Sequence, residues 1–223
     1  MNTPYLFFDL DGTLLDTLDD LRDSVNTILS RYALAPITRD EAAHFLGNGA
    51  KHLVHCSLKG QVTEDEENTI LQEYKAWYQD HCRIKTAPYP GVMDMLQTLK
   101  EKGFRMAVVS NKPDPAVKEL NIHFFGDLLE TAIGEKEGIR RKPAPDTLWE
   151  AMRLLDAPQE KCLYIGDTEV DLQTAKNAGM RCISVSWGFR SEEELLASGA
   201  DTIVRTAPEL EALLTTSQKI TNY

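Results

Sequence analysis

Two carboxylates one residue apart, Asp9 and Asp11, end the apolar run Tyr5-Leu6-Phe7-Phe8 and lead directly into Gly12-Thr13. Aspartate is disfavoured inside a strand, so the pair belongs at the strand's carboxyl end, where an open α/β sheet keeps its binding crevice. There Asp9 can face a ligand, and Gly12 lets backbone approach closely. Acidic side chains beside exposed main-chain amides suit a divalent cation and a phosphate together. Three more polar signals recur along the chain. Ser110-Asn111-Lys112 follows Met106-Ala107-Val108-Val109, Lys142-Pro143 precedes a helix, and Gly166-Asp167-Thr168-Glu169-Val170-Asp171 follows Leu163-Tyr164-Ile165. Each alone fits a turn, a cap or a solvated charge. Together they repeat one placement, at or beyond the carboxyl ends of parallel strands. Asp9, the main-chain carbonyl of Asp11 and Asp167 then offer the oxygen ligands that Mg²⁺ prefers. Gly12, Ser110 and the Asn111 amide can meet phosphate oxygens, and Lys142 brings compensating charge as a point cation. Asp171 fits an outer position around the metal or a place in the first turn of a helix.

The elements that must position these groups fall into two sets. From residue 16 to 82 the pattern is helix after helix. Leu18, Leu21, Val25, Ile28, Leu29 and Tyr32 share one face of a helix that Asp16 or Thr17 can cap, and short helices follow near 39–46 and 50–58. Thr63 and Glu66 form a capping box ahead of a longer helix striped by Ile70, Leu71, Tyr74, Trp77 and Tyr78. Residues 83–90, with Pro88 and Pro90, look like a linker. From Gly91 onward strands and helices alternate, which means parallel βα units with right-handed crossovers. The expected fold is therefore α/β: a Rossmann-like parallel sheet with helices on both faces, carrying an inserted all-α cap. Residues 1–15 and 83–223 would form the core and 16–82 the cap, hanging over the carboxylates as a lid.

The bulk properties narrow the function classes. A net charge of −11 over 223 residues argues against nucleic acid or an anionic membrane as partner. It also means that a phosphate site must gather its positive charge locally. Cys56, Cys82, Cys162 and Cys182 form no CxxC pair and read as buried free thiols. No apolar stretch approaches the ~18 residues of a membrane span, and no basic region precedes an apolar one at the N-terminus. A reduced, cytoplasmic, soluble protein is expected, as a monomer or homodimer acting on a small phosphorylated metabolite.

The chain resembles the haloacid dehalogenase superfamily of phosphohydrolases. The resemblance rests on DLDGT at residues 9–13, a strand-end Ser110, Lys142 followed by proline, and GDTEVD at 166–171, in the family's order. It implies that Asp9 is a nucleophile forming an aspartyl phosphate, that Asp11 is the general acid and base, and that Mg²⁺ is the cofactor. An acid beside a metal-bound carboxylate can be tuned toward neutral pH, which fits that division. Family dehalogenases carry an aromatic residue at the place of Asp11, and phosphonoacetaldehyde hydrolases a small one, so neither fits. Thr13 stands where sugar phosphomutases with this cap commonly show valine.

Phe45-Leu46-Gly47-Asn48-Gly49-Ala50 resembles the cap turn of bacterial phosphoglycolate phosphatases, as do Tyr89-Pro90-Gly91-Val92 and Trp187-Gly188. A glycine-rich turn before a helix exposes amides that suit a small carboxylate, and Lys51 or His52 could add charge. Gly47, Asn48, Gly49 and Lys51 are the expected substrate-recognition residues. Inorganic pyrophosphate or assorted small phosphate esters are the alternative substrates. A receiver-like phosphoacceptor domain is the rival from another class. It also gathers acids, a hydroxyl and a lysine at parallel strand ends, but the helical lid and Asp11 speak against it.

Overall fold

The computed structural model describes residues 5–216. The expected outer limits of the core, residues 1 and 223, lie outside the described residues. β1 (Tyr5–Phe8) runs up the centre of a six-stranded parallel sheet, flanked on one side by β4 (Arg105–Pro113) and β5 (Thr131–Glu135). On its other side lie β6 (Cys162–Gly166), β7 (Arg181–Val185) and β8 (Ile203–Val204). Period-two alternation divides each central strand between two apolar layers. Leu6, Phe8, Met106, Val108, Leu163 and Ile165 pack into one cluster, and Phe7, Ala107, Val109 and Tyr164 into the other. Both faces of the sheet are thus buried, as the continuous apolar runs predict.

Between β2 (Leu15–Asp16) and β3 (Ala87–Pro88) every element is a helix: α1 (Leu18–Arg31), α2 (Arg39–Phe45), α3 (Gly49–Leu58) and α4 (Glu64–His81). Capping boxes at Thr38–Glu41 and Thr63–Glu66 start α2 and α4 by satisfying main-chain N–H groups that no helical carbonyl can reach. α1 starts at Thr17 without a side-chain cap, and Asp16 Oδ1 accepts weakly from Leu18 N at 3.3 Å. The buried residues of these helices, among them Val25, Ile28, Leu53, Ile70 and Tyr74, belong to the same apolar cluster as one face of the sheet.

Residues 83–90 differ from a plain linker. β3 pairs antiparallel with β2, Leu15 opposite Pro88 and Asp16 opposite Ala87, so the two chain crossings lie side by side. Asp20, buried in the first turn of α1, accepts hydrogen bonds from the main-chain N–H groups of Lys85 (2.9 Å) and Thr86 (2.8 Å).

The remaining helices cover the sheet: α5 (Val92–Glu101), α6 (Asp114–Leu120), α7 (Asp146–Leu154), α8 (Glu169–Asn177), α9 (Glu192–Ala197) and α10 (Ala207–Thr216). Helix α6 passes into a π-helical turn over Asn121–Phe125. The alternation of strands and helices after Gly91 follows the expected order. β4 runs past the expected end at Ser110 to Pro113, with its pairing to β5 shifting between Val109 and Pro113. All four cysteines are free. No helix among the described residues is long and apolar enough to cross a membrane.

Candidate active site

The carboxyl ends of β1, β4 and β6 bring the polar signals to one place. Asp9 continues the ladder of β1, donating its N–H to the Ile165 carbonyl at 2.8 Å, and its side chain is buried. The chain then turns sharply: Gly12 N–H donates to the Leu15 carbonyl at 2.9 Å, and Gly12 holds φ at 86°. A β-carbon at Gly12 would strike the Asp167 carboxylate, so glycine is required both for the left-handed turn and for the close approach. Gly188 presses on the same carboxylate from the loop after β7; a β-carbon there would strike the Gly12 carbonyl and Asp167.

Asp167 is fully buried and held from two sides. Thr13 Oγ1 donates to its Oδ1 at 2.9 Å, and Phe189 N–H donates to its Oδ2 at 2.8 Å. Trp187 Nε1 anchors the turn by donating to the Thr13 carbonyl at 3.0 Å. Asp171, in the first turn of α8, accepts from the main-chain N–H groups of Asp167 and Thr168 and from Thr168 Oγ1. Its other oxygen accepts from Tyr164 OH (2.9 Å) and Lys142 Nζ (2.7 Å). Asp171 is therefore spent on capping and on holding Lys142, which suits an outer position.

Lys142 follows Arg141 and precedes a cis proline bond. Its buried ammonium reaches Asp9 Oδ1 at 2.8 Å, Asp171 Oδ1 and Tyr164 OH, a full set for three N–H donors. Its main chain is strapped by Asn111, whose side chain accepts from Lys142 N–H at 2.8 Å and donates to the Lys142 carbonyl at 3.0 Å. The same Asn111 amide donates to the Gly47 carbonyl at 3.0 Å, joining the loop after β4 to the α2–α3 turn. Ser110 Oγ is buried and accepts from Lys112 N–H.

Burial and mutual repulsion set the charge states. Burial, partly offset by Lys142 and reinforced by Asp171 and Asp11, pushes Asp9 up to about 7. Burial and the charges of Asp171 and Asp9 push Asp167 well above the usual carboxylate range. Asp171 goes the other way: Lys142 and its hydrogen bonds outweigh burial and lower it. Lys142 is raised, because Asp171 and Asp9 outweigh its burial. The groups thus share protons because their negative charge exceeds what the lysines supply. Asp9, Asp11, Asp167 and Asp171 stand against the two buried ammonium groups Lys142 and Lys112, a deficit that one divalent cation would close. Asp9, Asp167 and Asp171 place carboxylate oxygens within 4.8 Å of one another, the only such acidic group among the described residues. All-oxygen donors and this charge deficit fit Mg²⁺.

The site has a roof. A cavity over Asp9, Asp11, Ser110, Asn111 and Lys142 is lined from above by Leu21 of α1, Leu46 before the turn, Gly47, Gly49, Ala50 and Leu53 of the turn and α3, and Tyr74, Lys75 and Tyr78 of α4. Of the expected recognition residues, Gly47 and Gly49 line this cavity. Asn48 is half-buried beside it, and Lys51 lies exposed, because the helical turn that carries Ala50 inward sends the next residue to solvent.

Two contacts had no assigned role from the sequence. Lys112 places Nζ 2.8 Å from Asp11 Oδ1 and donates to Tyr78 OH at 2.7 Å. The first contact is off the hydrogen-bond axis, so buried Asp11 Oδ1 has no hydrogen-bond donor. Arg190, after β7, pairs with Glu169 of α8 and donates to the Ala43 and Leu46 carbonyls at the end of α2. The sequence signal for the first was a third polar residue after Ser110-Asn111; for the second there was none.

Comparison with known proteins agrees with this geometry. The family model described as haloacid dehalogenase-like hydrolase matches residues 6–185. A phosphoglycolate phosphatase of Rhodobacter capsulatus is 38% identical over 192 residues, covering 84% of this chain and 86% of its own. One from Colwellia psychrerythraea is 34% identical over 215 residues, covering 92% and 94%. Among solved structures, a candidate phosphoglycolate phosphatase of Lactobacillus delbrueckii subsp. bulgaricus superposes with a TM-score of 0.90 at 40% identity, covering 96% of this chain and 99% of its own. CbbY of Rhodobacter sphaeroides, solved in complex with phosphate, superposes with a TM-score of 0.78 at 28% identity, covering 93% and 96%. The motifs, the sheet that carries them and these relatives together place the chain in the haloacid dehalogenase-like hydrolase family.

Proposed function

We propose that this chain is a Mg²⁺-dependent phosphomonoester hydrolase working through an aspartyl phosphate, with 2-phosphoglycolate as its substrate. The observation that carries the reaction is the buried ammonium of Lys142 between Asp9 and Asp171, beside Asp167 and at the floor of a cavity roofed by the helical segment. In the first half-reaction an Asp9 oxygen forms a bond to phosphorus as the ester P–O bond breaks. Asp11 delivers its proton to the departing alkoxide. In the second, water attacks the phosphorus of the aspartyl phosphate, Asp11 takes the water's proton, and the Asp9 carboxylate leaves. Splitting one displacement into two lowers each barrier. Asp9, Asp167 and the Asp11 carbonyl are the residues that would hold Mg²⁺, which when bound keeps Asp9 ionised and offsets phosphate charge. Lys142, with its donors on Asp9, Asp171 and Tyr164, offsets the charge of one equatorial oxygen through space. Ser110 Oγ and the main-chain N–H of Asn111 take the others, since the Asn111 side chain is already engaged.

Residues 16–82 act as the lid, and the phosphoglycolate phosphatases among the relatives support 2-phosphoglycolate as the substrate. A roof of mostly apolar side chains over one phosphate site fits a small ester and excludes polymers. The test is turnover with Mg²⁺ by the native chain and by Asp9→Asn. The native chain should release phosphate repeatedly, and the variant should fold but keep under ~1% of the rate, the usual cost of a lost nucleophile. A single stoichiometric phosphorylation without turnover would overturn the hydrolase reading in favour of a phosphoacceptor.

A further inference from the structure

Two cationic side chains besides Lys142 line the roofed cavity. Lys142 is fully engaged by Asp9, Asp171 and Tyr164. Lys75, on α4, also lines the cavity, and among the described residues it has neither an ion pair nor a hydrogen-bond partner. In a chain of net charge −11, an unpaired lysine lining this site is out of keeping with its surroundings. Lys112 is the second: buried, with one N–H on Tyr78 OH and an off-axis approach to Asp11. An ammonium has three donors, so Lys112 retains capacity toward the cavity. The rest of the roof is mostly apolar: Leu21, Leu46, Ala50 and Leu53, with Tyr74 adding an aromatic ring and its hydroxyl.

We propose that Lys112 and Lys75, steadied by the Tyr78 hydroxyl, recognise a carboxylate carried by the leaving group, on the carbon bonded to the ester oxygen. This assignment rests on the hydrolase reading above and deepens it. The position follows from Asp11. As the group that protonates the ester oxygen, Asp11 must lie within hydrogen-bond reach of it, and Lys112 Nζ lies 2.8 Å from Asp11 Oδ1. Lys112 is therefore adjacent to the atoms attached to that oxygen and remote from any charge farther along a chain. The substrate class is the small 2-phosphooxy carboxylate, with 2-phosphoglycolate the simplest member. Tyr78 comes from the lid and Lys112 from the core, so recognition is complete only with the lid down.

Ethyl phosphate is the matched control, since it carries an uncharged methyl group where 2-phosphoglycolate has its carboxylate. The native chain should favour 2-phosphoglycolate over ethyl phosphate by at least ~100-fold in kcat/KM with Mg²⁺, and over 3-phosphoglycerate as well. Lys75→Gln and Lys112→Gln should each shrink the first ratio by about 10–100-fold, the usual weight of a hydrogen bond to a charged group. For Lys75→Gln the loss should appear mainly in KM, with Lys75→Arg recovering part of it. Lys75 is half-buried, so its variants remain informative if Lys112→Gln does not fold. Equal losses on both esters would mean that the lysines only hold Asp11 or the lid, and would overturn the assignment. Turnover of both esters by the native chain without preference would overturn it too, leaving the hydrolase reading intact. No turnover of any ester would refute the hydrolase reading itself.

Discussion

Metal binding at this site should be coupled to proton release, by an amount the geometry sets. Burial and the neighbouring carboxylates hold Asp9 at about 7 without a cation, and Asp167 is raised as well. A carboxylate must lose its proton to ligate a metal. With a pKa of about 7, Asp9 is roughly 90% protonated at pH 6 and roughly 10% at pH 8, so the apparent Kd for Mg²⁺ should be about tenfold weaker at pH 6. Each Mg²⁺ bound at pH 6 should release about 0.9 proton from Asp9, and the raised Asp167 can only add to this. Titration calorimetry at pH 6 and 8, repeated in buffers of different ionisation enthalpy, reads both quantities. Stability carries the same sign. The native pKa of Asp9 lies above its unfolded value near ~3.9, so the native state holds the extra proton between the two. Metal-free stability from this group is therefore full below ~4 and falls as pH rises toward 7. Asp171, with a lowered native pKa, acts oppositely and loses its contribution only as pH falls below ~4. A Kd unchanged between pH 6 and 8, with no buffer-dependent heat, would refute the idea that these buried carboxylates share protons in place of the cation.

Two further outcomes follow from packing. Gly188→Ala should weaken Mg²⁺ binding at least ~10-fold while leaving the sheet intact, because its β-carbon would displace Asp167 from the position set by Thr13 and Phe189; an unaltered Kd by calorimetry would contradict that placement. Asp20→Ala should lower stability by about 2–4 kcal/mol, since the N–H groups of Lys85 and Thr86 lose a buried charged acceptor; an unfolding free energy from denaturant titration lowered by less than ~0.5 kcal/mol would show those amides finding water instead.

The groups that became legible from sequence are those whose position is fixed by one strand end. Asp9, Ser110 and Asp167 each follow an apolar run, and the run's length says where the crevice lies. Parallel pairing then does the rest, because strands of one sheet deliver their ends to the same edge. Lys112 lies at such an end, but its meaning depends on Tyr78, 34 residues earlier on a helix whose apolar stripe absorbed it. Asp20 drew no expectation from the sequence, because its partners are main-chain amides 65 and 66 residues away. The paired hinge strands are two residues each, too short to show any alternation. Lys51 shows the reverse limit. A cation beside a glycine turn invites a binding role, but one step along a helix rotates the side chain by about 100°, out of the cavity and into solvent.

The pairing of Asp16 with Ala87 has a bearing on how such a molecule can change over time. An excursion of some seventy residues leaves and rejoins the sheet at adjacent, hydrogen-bonded points. Closing a loop whose ends already touch costs little more entropy for a long loop than for a short one, because the penalty grows only with the logarithm of length. The helical excursion can therefore lengthen, shorten or be exchanged with little tax on the sheet beneath it. Only the apolar seam and a few bridging contacts, such as Asn111 to Gly47 and Arg190 to the end of α2, must be re-established. The groups of the proposed chemistry are anchored in one part of the chain, and the roof that would select the substrate lies largely in another. Such a molecule can acquire a new substrate by drift in its roof while its floor stays under constant selection.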